Sequence, residues 1–596
     1  MDDADAEGQH ALLLSNYLFG VGVVQRRRVA FAVIQRDPIL SAFYDSESGD
    51  YSYRSARRST MAQIRRVAEF GDNEDKELLM RTMAECCNSF NMRLGVHAIL
   101  FRTTINVFGS EAQRDEWIPK VDSFTVVGSF AMTELGHSSS LRDLETTATY
   151  DKMKDQFVLN SPTVTSTKWW IGMVGQTATH TVILAQTIVD GENAGLNWFI
   201  LQLRDLKTGR MMPGVLVGDV GAKAGRDGLD NGWIKLTNAR IPRIDMLMKM
   251  CTIDRDGNVD GPSHPALMYA TLIPERLTLT FASKVTVGQA VSICFRQDWD
   301  HLGVSEKLSP ARIAQLAPIL AGVVVLHIAE KSVMQFWSHF EALGDDPSSD
   351  EYLSLLPDVH AMSAGLKAMI TWWTSDVLST CQQTAGISSR LGASFGSVSR
   401  LIGDWGVMTT GGGDNYALSE QCSRYLISNM KRVFAPQKKP LTFAGSVFYL
   451  NRAQDIIRFS AKSIPLKDSS KLLDWCIGYF ELLTILLGKR LLSGVKDRKT
   501  FWNEHMIELN RLRFGMASTI VIIHVLLQLI SFSCVCSGSV QSRSPISSTT
   551  INDTALFIDM RCPIWAGRNL QVIVGLCHGG RSVRQDRRAH IKISYH

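Results

Sequence analysis

The chain has 596 residues, 45 % of them apolar and 20 % charged, and a formal net charge of +5. That length exceeds one ordinary domain, and the composition excludes disordered, collagen-like and multi-span membrane proteins. With so mild a charge, and no basic run interleaved with aromatics before the last stretch, nucleic-acid binding has no support.

At the start, acidic residues and an Arg26-Arg27-Arg28 cluster occur without a following apolar run, so no secretory signal is expected. From Leu12 to Pro119 apolar residues recur at helical spacing, as in Leu94-Gly-Val-His-Ala-Ile-Leu, which predicts an N-terminal α domain over 1–123. Between Phe124 and Pro265, β-rich runs such as Phe157-Val-Leu-Asn and Thr181-Val-Ile-Leu-Ala alternate with Gly, Asp and Asn turn signals, giving a central β domain over 124–265. Helical periodicity returns at Pro274, with Glu275 in the first turn, and runs to Phe295. Further helices are predicted around 310–340, 357–384 and 416–432, completing a first C-terminal α domain over 266–435. A second helical block, 436–533, includes the apolar stretch from Met516 to Phe532, read as a buried helix because it contains His524 and Gln528. Beyond Ser533 the chain loses periodicity, and 534–596 is expected to be an irregular tail.

The order is α, β, α, α, an α+β multidomain fold. No Gly-rich strand–turn–helix loop is present, which excludes a dinucleotide-binding Rossmann unit. The 11 cysteines form no paired Cys-x-x-Cys ladder, so reduced thiols and no metal site are expected.

The most informative strings are Phe130-Ala-Met-Thr-Glu-Leu-Gly-His, Leu144-Glu-Thr-Thr-Ala-Thr-Tyr and Ser166-Thr-Lys-Trp-Trp-Ile-Gly. They set a Thr hydroxyl, amides freed by Gly and adjacent tryptophans among β strands, groups suited to a flat aromatic cofactor. With Val217-Gly-Asp-Val-Gly-Ala-Lys, Leu229-Asp-Asn-Gly-Trp and Ala239-Arg-Ile-Pro-Arg, they resemble the β domain of peroxisomal acyl-CoA oxidases, within the acyl-CoA dehydrogenase superfamily. The resemblance runs from about residue 10 to 450. It implies a barrel-like central domain, two C-terminal helical bundles, bound FAD, a fatty acyl-CoA substrate with oxygen as acceptor, a homodimer and a peroxisomal location; from composition and the polar residues in the Met516–Phe532 stretch, no stable membrane insertion is expected. It puts Thr133 at the flavin pyrimidine edge and Gly172 against the flavin, with Thr167 and Trp170 beside them. The chain ends Ile593-Ser-Tyr-His, which is not a Ser-Lys-Leu-type address.

In most acyl-CoA oxidases the catalytic base is the Glu of a Glu-Gly-Glu/Asp-Asn string. Here Thr410-Gly-Gly-Gly-Asp-Asn-Tyr puts Gly412 at that place. Isovaleryl-CoA and long-chain acyl-CoA dehydrogenases also lack that Glu and carry the base in a Glu-Arg-Leu string. This chain reads Ile273-Pro-Glu-Arg-Leu at the equivalent helix start. By resemblance, Glu275 is the candidate base, beside Arg276, while the Gly412 backbone N–H keeps the task of donating to the thioester oxygen. Without the resemblance, Glu275 reads as an ordinary first-turn acid that offsets the helix dipole. Asp414 reads as a helix cap, Glu420 as a solvated acid and His137 as a structural residue.

Two strings depart from the family: Phe295-Arg-Gln-Asp-Trp-Asp-His-Leu-Gly, and Gly386-Ile-Ser-Ser-Arg where a Gly-Gly-His-Gly-like segment is expected. An acyl-CoA dehydrogenase using an electron-transfer flavoprotein and a silent acyl-CoA-binding paralogue remain open alternatives.

Overall fold

The computed structural model describes residues 12–42, 52–70, 74–138, 140–261, 272–295, 309–345, 349–386, 397–435 and 442–458 except 444, with short pieces within 481–492, at 506, and at 557–560 and 572–575. The predicted helix from Met516 to Phe532 and the departing strings after Phe295 and Gly386 lie outside the described residues.

The helical first block contains α1 (Val23–Arg36), α2 (Tyr53–Ala68), α3 (Glu74–Cys86), α4 (Asn88–Leu94), α5 (Arg102–Phe108) and α6 (Glu111–Asp122). Ile34, Val67, Leu79, Met83 and Phe90 come together as its core, as the helical spacing requires. Between α4 and α5, Gly95–Phe101 winds as a π-helix where ordinary α-helix was predicted. Apolar spacing does not separate the two forms. Buried His97 sits in that turn: its Nδ1 accepts from Gly128 N at 3.1 Å and its Nε2 lies 3.1 Å from Val121 O. The imidazole is therefore neutral with its proton on Nε2, and burial pushes its pKa down.

The β domain follows: β1 (Gly128–Ala131), β2 (Thr147–Asp151), β3 (Gln156–Asn160), β4 (Lys168–Ile171), β5 (His180–Val189), β6 (Glu192–Gln202), β7 (Val215–Asp219), β8 (Gly232–Leu236) and β9 (Ala239–Pro242). In the larger sheet β5 is the spine. β6 runs antiparallel along one side of it, while β1 and β2 lie parallel to it end to end on the other, followed outward by β3 and β9. The smaller antiparallel sheet has the order β4-β8-β7. Ala131, Ala148, Phe157, Ile171, Ile183, Phe199, Ile234 and Ala239 from both sheets share one core, the barrel-like closure expected.

The chain continues through α7 (Leu272–Phe295), α8 (Pro310–Ala342), α9 (Asp350–Ala385), α10 (Val398–Trp405) and α11 (Asn415–Phe434). Helix α9 starts before the predicted 357 and runs through Pro357, which lies past the first turn and so leaves the Leu353 carbonyl without its usual main-chain donor. In the stretch expected to be irregular, Phe557–Met560 and Val572–Gly575 pair antiparallel.

Two compact units divide the chain within α7, after Leu279. The first holds the described residues up to Leu279 together with Ser397–Gly413, and therefore every candidate site residue. The second holds α8, nearly all of α9, α11 and the rest of α7. Helices α7 and α8 are long and apolar enough to cross a membrane, yet they bury core faces and are joined by the Lys284–Glu330 ion pair.

Candidate active site

The β1 end of the site is a tight exchange of hydrogen bonds around Thr133. Its carbonyl accepts from Trp169 N at 3.0 Å, and its Oγ1 donates to Trp169 O at 2.8 Å. The hydroxyl proton is committed, so Thr133 can offer a ligand lone pairs but no donor unless that bond breaks. Lys168 fixes the residues on both sides of Thr133: its Nζ donates to Met132 O at 2.9 Å and meets Glu134 Oε1 at 3.2 Å. Both side chains of this ion pair are fully buried (0 % exposed). Burial pushes the Lys168 pKa down to about 8 while Glu134 opposes the fall. Glu134 is further satisfied by Glu145 N, Thr146 N and Thr146 Oγ1 at 2.9, 2.9 and 2.5 Å.

His137 Nε2 lies 2.8 Å from Glu145 Oε1, and the Thr163 and Thr165 hydroxyls each donate to Glu145 at 2.6 Å. These donors, Thr163 first, hold the Glu145 carboxyl down at about 2. Glu134, His137 and Glu145 bring potential ligand atoms within 4.8 Å of one another, but Lys168 already supplies the cation and N–H and O–H donors engage the carboxylates. The geometry agrees with the structural reading of His137.

Strand β4 bulges between Trp169 and Ile171, and Trp170 takes up the irregularity at φ 65°, with 44 % of its surface exposed. Asn231 Nδ2 donates to its carbonyl at 3.2 Å. A bulge re-aims a side chain, and here it turns a large aromatic to the surface. At Gly172 a Cβ would come within 2.9 Å of Val96 Cγ2, so packing against the π-helix is by itself sufficient reason for glycine. Thr167 is buried; its N–H donates to Val164 O and its carbonyl accepts from Leu135 N at 2.9 Å.

The other side of the site is built from the start of α7 and the glycine loop after α10. Glu275 is half-buried in the first turn. Arg276 is buried, and its Nε donates to Gly412 O at 3.0 Å. Burial pushes the Arg276 pKa down to about 10, and the neighbouring Glu275 opposes it. Gly412 has φ 67° and Gly413 φ 112°, left-handed conformations that favour glycine. A Cβ on Gly412 would stand 3.7 Å from Glu275 Cδ and 3.0 Å from Leu279 Cδ1. The Glu275 carboxyl thus lies where a side chain from position 412 would emerge. Among the described residues, no acceptor is paired with the Gly412 N–H.

The competing acids have other tasks. Asp414 Oδ1 accepts from Tyr416 N at 3.0 Å and Ala417 N at 3.2 Å as the cap of α11, and Glu420 pairs with Arg424 at 3.0 Å. Sequence reading missed Lys168 as a clamp. No period-two signal marks it, because the bulge between Trp169 and Ile171 breaks the alternation that would have paired Lys168 with an inward neighbour.

Three family models match in chain order: an acyl-coenzyme A oxidase N-terminal domain at 13–127, an acyl-CoA dehydrogenase middle domain at 129–239 and an acyl-CoA oxidase C-alpha1 domain at 310–427. The chain is 33 % identical over 462 residues to acyl-coenzyme A oxidase 2 of Yarrowia lipolytica, covering 74 % of this chain and 65 % of that one. It is 31 % identical over 447 residues to the mouse (Mus musculus) peroxisomal acyl-coenzyme A oxidase 1, covering 72 % and 64 %. The chain thus spans a little under two thirds of the length of these curated relatives. The solved structure of acyl-CoA oxidase 1 from Arabidopsis thaliana superposes with a TM-score of 0.73 at 25 % identity, covering 86 % of this chain and 78 % of that one. The helical first block, the two-sheet middle domain and the helices after it are therefore those of the acyl-CoA oxidase and dehydrogenase superfamily, to which this chain belongs.

Proposed function

We propose that the chain is an FAD-dependent acyl-CoA oxidase that desaturates a fatty acyl-CoA between its α and β carbons, with Glu275 as the base. The observation that carries this reading is the 3.7 Å between the Glu275 carboxyl carbon and the point where a side chain at position 412 would begin. A carboxylate is supplied from α7 to the place where most acyl-CoA oxidases supply one from the loop. Similarity to relatives named acyl-CoA oxidase supports the reaction class, and the relative named peroxisomal supports a peroxisomal location.

In this reading Glu275 takes the α-proton. Proton transfer needs the acceptor within hydrogen-bond reach, and the bond from Arg276 Nε to Gly412 O holds helix and loop together for that purpose. The Gly412 N–H donates to the thioester oxygen, stabilising the enolate-like charge that develops as the proton leaves. The residues present fit a flavin: the exposed Trp170 offers an aromatic face on its bulge, Thr133 offers hydroxyl lone pairs, and Thr167, just before β4, holds the Leu135 amide through its carbonyl. Gly172 adds no side chain there. FAD, when bound, would accept the β-hydrogen as hydride and deliver the electrons to oxygen. A homodimer is the proposed assembly.

Anaerobic titration of the purified, FAD-loaded protein with acyl-CoAs of several lengths tests the proposal. Bleaching of the flavin band, followed by peroxide on admitting air, is the expected result. Bleaching without peroxide identifies a dehydrogenase, and no bleaching with any acyl-CoA refutes an enzymatic role.

A further inference from the structure

The loop between β7 and β8 makes two sets of bonds that the reading of Thr133 and Glu275 leaves unused. At its C-terminal end, the Asp230 carboxylate accepts from Gln176 N at 2.7 Å and Thr177 N at 2.9 Å and is paired with Arg93 at 2.8 Å, both side chains being buried. The neighbouring Asn231 side chain donates to Trp170 O. The segment from Trp170 to Thr177, which carries the exposed tryptophan and Gly172, therefore hangs from Asp230 and Asn231.

In its middle, the same loop is welded to the end of α10. Arg226 N donates to Asp404 Oδ1 at 2.5 Å, Arg226 Nε donates to Asp404 O at 2.9 Å, and Asn88 Nδ2 reaches Asp404 Oδ2 at 3.2 Å. The backbones touch beside these bonds. A Cβ on Gly225 would lie 2.3 Å from Gly403 O, and one on Gly403 would lie 2.4 Å from Ala224 O, so neither position has room for a side chain. Asp404 stands one residue before the end of α10, from which a single 3-10 turn, Gly406–Thr409, leads to the loop of Gly412.

We infer that this loop is a strut that fixes the glycine loop and Glu275 relative to the Trp170 face, with Arg226 and Asp404 as positioning residues for α-proton removal. Arg226 holds an unfavourable state to do so. It is a non-glycine residue at φ 52°, and its guanidinium is buried with Nη2 lacking a partner among the described residues. Backbone strain of that kind persists only where the surroundings enforce it, and it gathers at sites where geometry matters. The consequence is chemical: displacing a base by about 1 Å costs up to ~10²-fold in rate.

The inference rests on Glu275 being the base, so the variants Asp404→Asn and Arg226→Lys are compared with Glu275→Gln in the FAD-loaded protein. Arg226→Lys keeps the charge and the backbone bond but loses the Nε bond, and it carries the test should Asp404→Asn not fold. Flavin reduction is expected to slow about 10- to 100-fold in the loop variants, with flavin content and acyl-CoA affinity retained. The isotope effect from substrate deuterated at the α carbon should rise, while that from the β carbon does not. Amide hydrogen exchange in the apoprotein should accelerate at 406–413 and stay slow in β1. A merely structural role would lower the melting temperature and leave the α isotope effect where it was. Unchanged exchange and an unchanged isotope effect in both loop variants, with Glu275→Gln inactive, overturn the strut alone. Wild-type reduction by Glu275→Gln overturns the base assignment and the strut with it.

Discussion

Moving the carboxylate from Glu275 back to position 412 tests the site directly. Glu275→Gln keeps the size of the side chain and removes the proton acceptor, so flavin reduction should slow roughly 10²- to 10⁴-fold, about 3–5 kcal/mol of barrier. Adding Gly412→Glu then brings a second carboxylate in. Its Cβ would begin 3.7 Å from the present position of the Glu275 carboxyl carbon. Two C–C bonds of about 1.5 Å and a C–O bond of about 1.2 Å are long enough for a carboxylate oxygen to cover that gap. Two obstacles are visible. Position 412 has φ 67°, where any residue with a Cβ is strained by about 1–2 kcal/mol. The new Cβ also meets Leu279 Cδ1 at 3.0 Å, the end of a side chain that can swing by a few tenths of an ångström. The double variant should therefore melt below wild type yet reduce its flavin faster than Glu275→Gln, without reaching the wild-type rate. Anaerobic stopped-flow bleaching of the flavin band, with acyl-CoA binding measured separately, reads both effects. A folded, flavin-loaded double variant no faster than Glu275→Gln refutes the convergence of the two positions, and a Glu275→Gln enzyme of wild-type speed refutes the base.

Three further outcomes are expected. Gly172→Ala should destabilise the apoprotein, because the new Cβ lies 2.9 Å from Val96 Cγ2, and Val96→Ala should relieve most of that loss; thermal melting without flavin checks it, and failure of the relief refutes the packing account. Lys168→Met strands the buried Glu134 carboxylate without its cation, costing about 3–5 kcal/mol, so melting temperature and FAD affinity should both fall and Glu134→Gln should restore much of the stability. Burial, with Lys120 adding to it, pushes the His180 pKa from its ordinary 6.5 down to about 4. The unfolded chain then binds more protons between those values, so stability is lost as pH falls through that window, by up to about 3 kcal/mol. Half-buried Asp245, raised to about 7 by desolvation, acts in the opposite sense over much of the same range. The difference in denaturation midpoint between wild type and His180→Asn isolates the histidine, and parallel curves from pH 7 to 4 would refute its part.

Local chemistry was legible in the sequence. Helical spacing gave the N-terminal block and the helices after the β domain, alternation gave the strands, and Asp414 before Asn415 gave the cap of α11, because each depends on residues a few positions apart. The resemblance supplied Glu275 and Gly412 as candidates. Tertiary structure decided what spacing cannot encode: that Arg276 reaches Gly412 across 136 positions, that Arg226 grips Asp404 across 178, and that Lys168 turns inward to clamp both neighbours of Thr133. It also decided the π-turn at Gly95–Phe101, which turns His97 to take the Gly128 amide. A periodic pattern states which face of an element is apolar, but not which element packs on it. A lysine beside two tryptophans, or a glycine in a loop of three, acquires its role only when packing removes water and leaves each polar group to find a partner inside the fold.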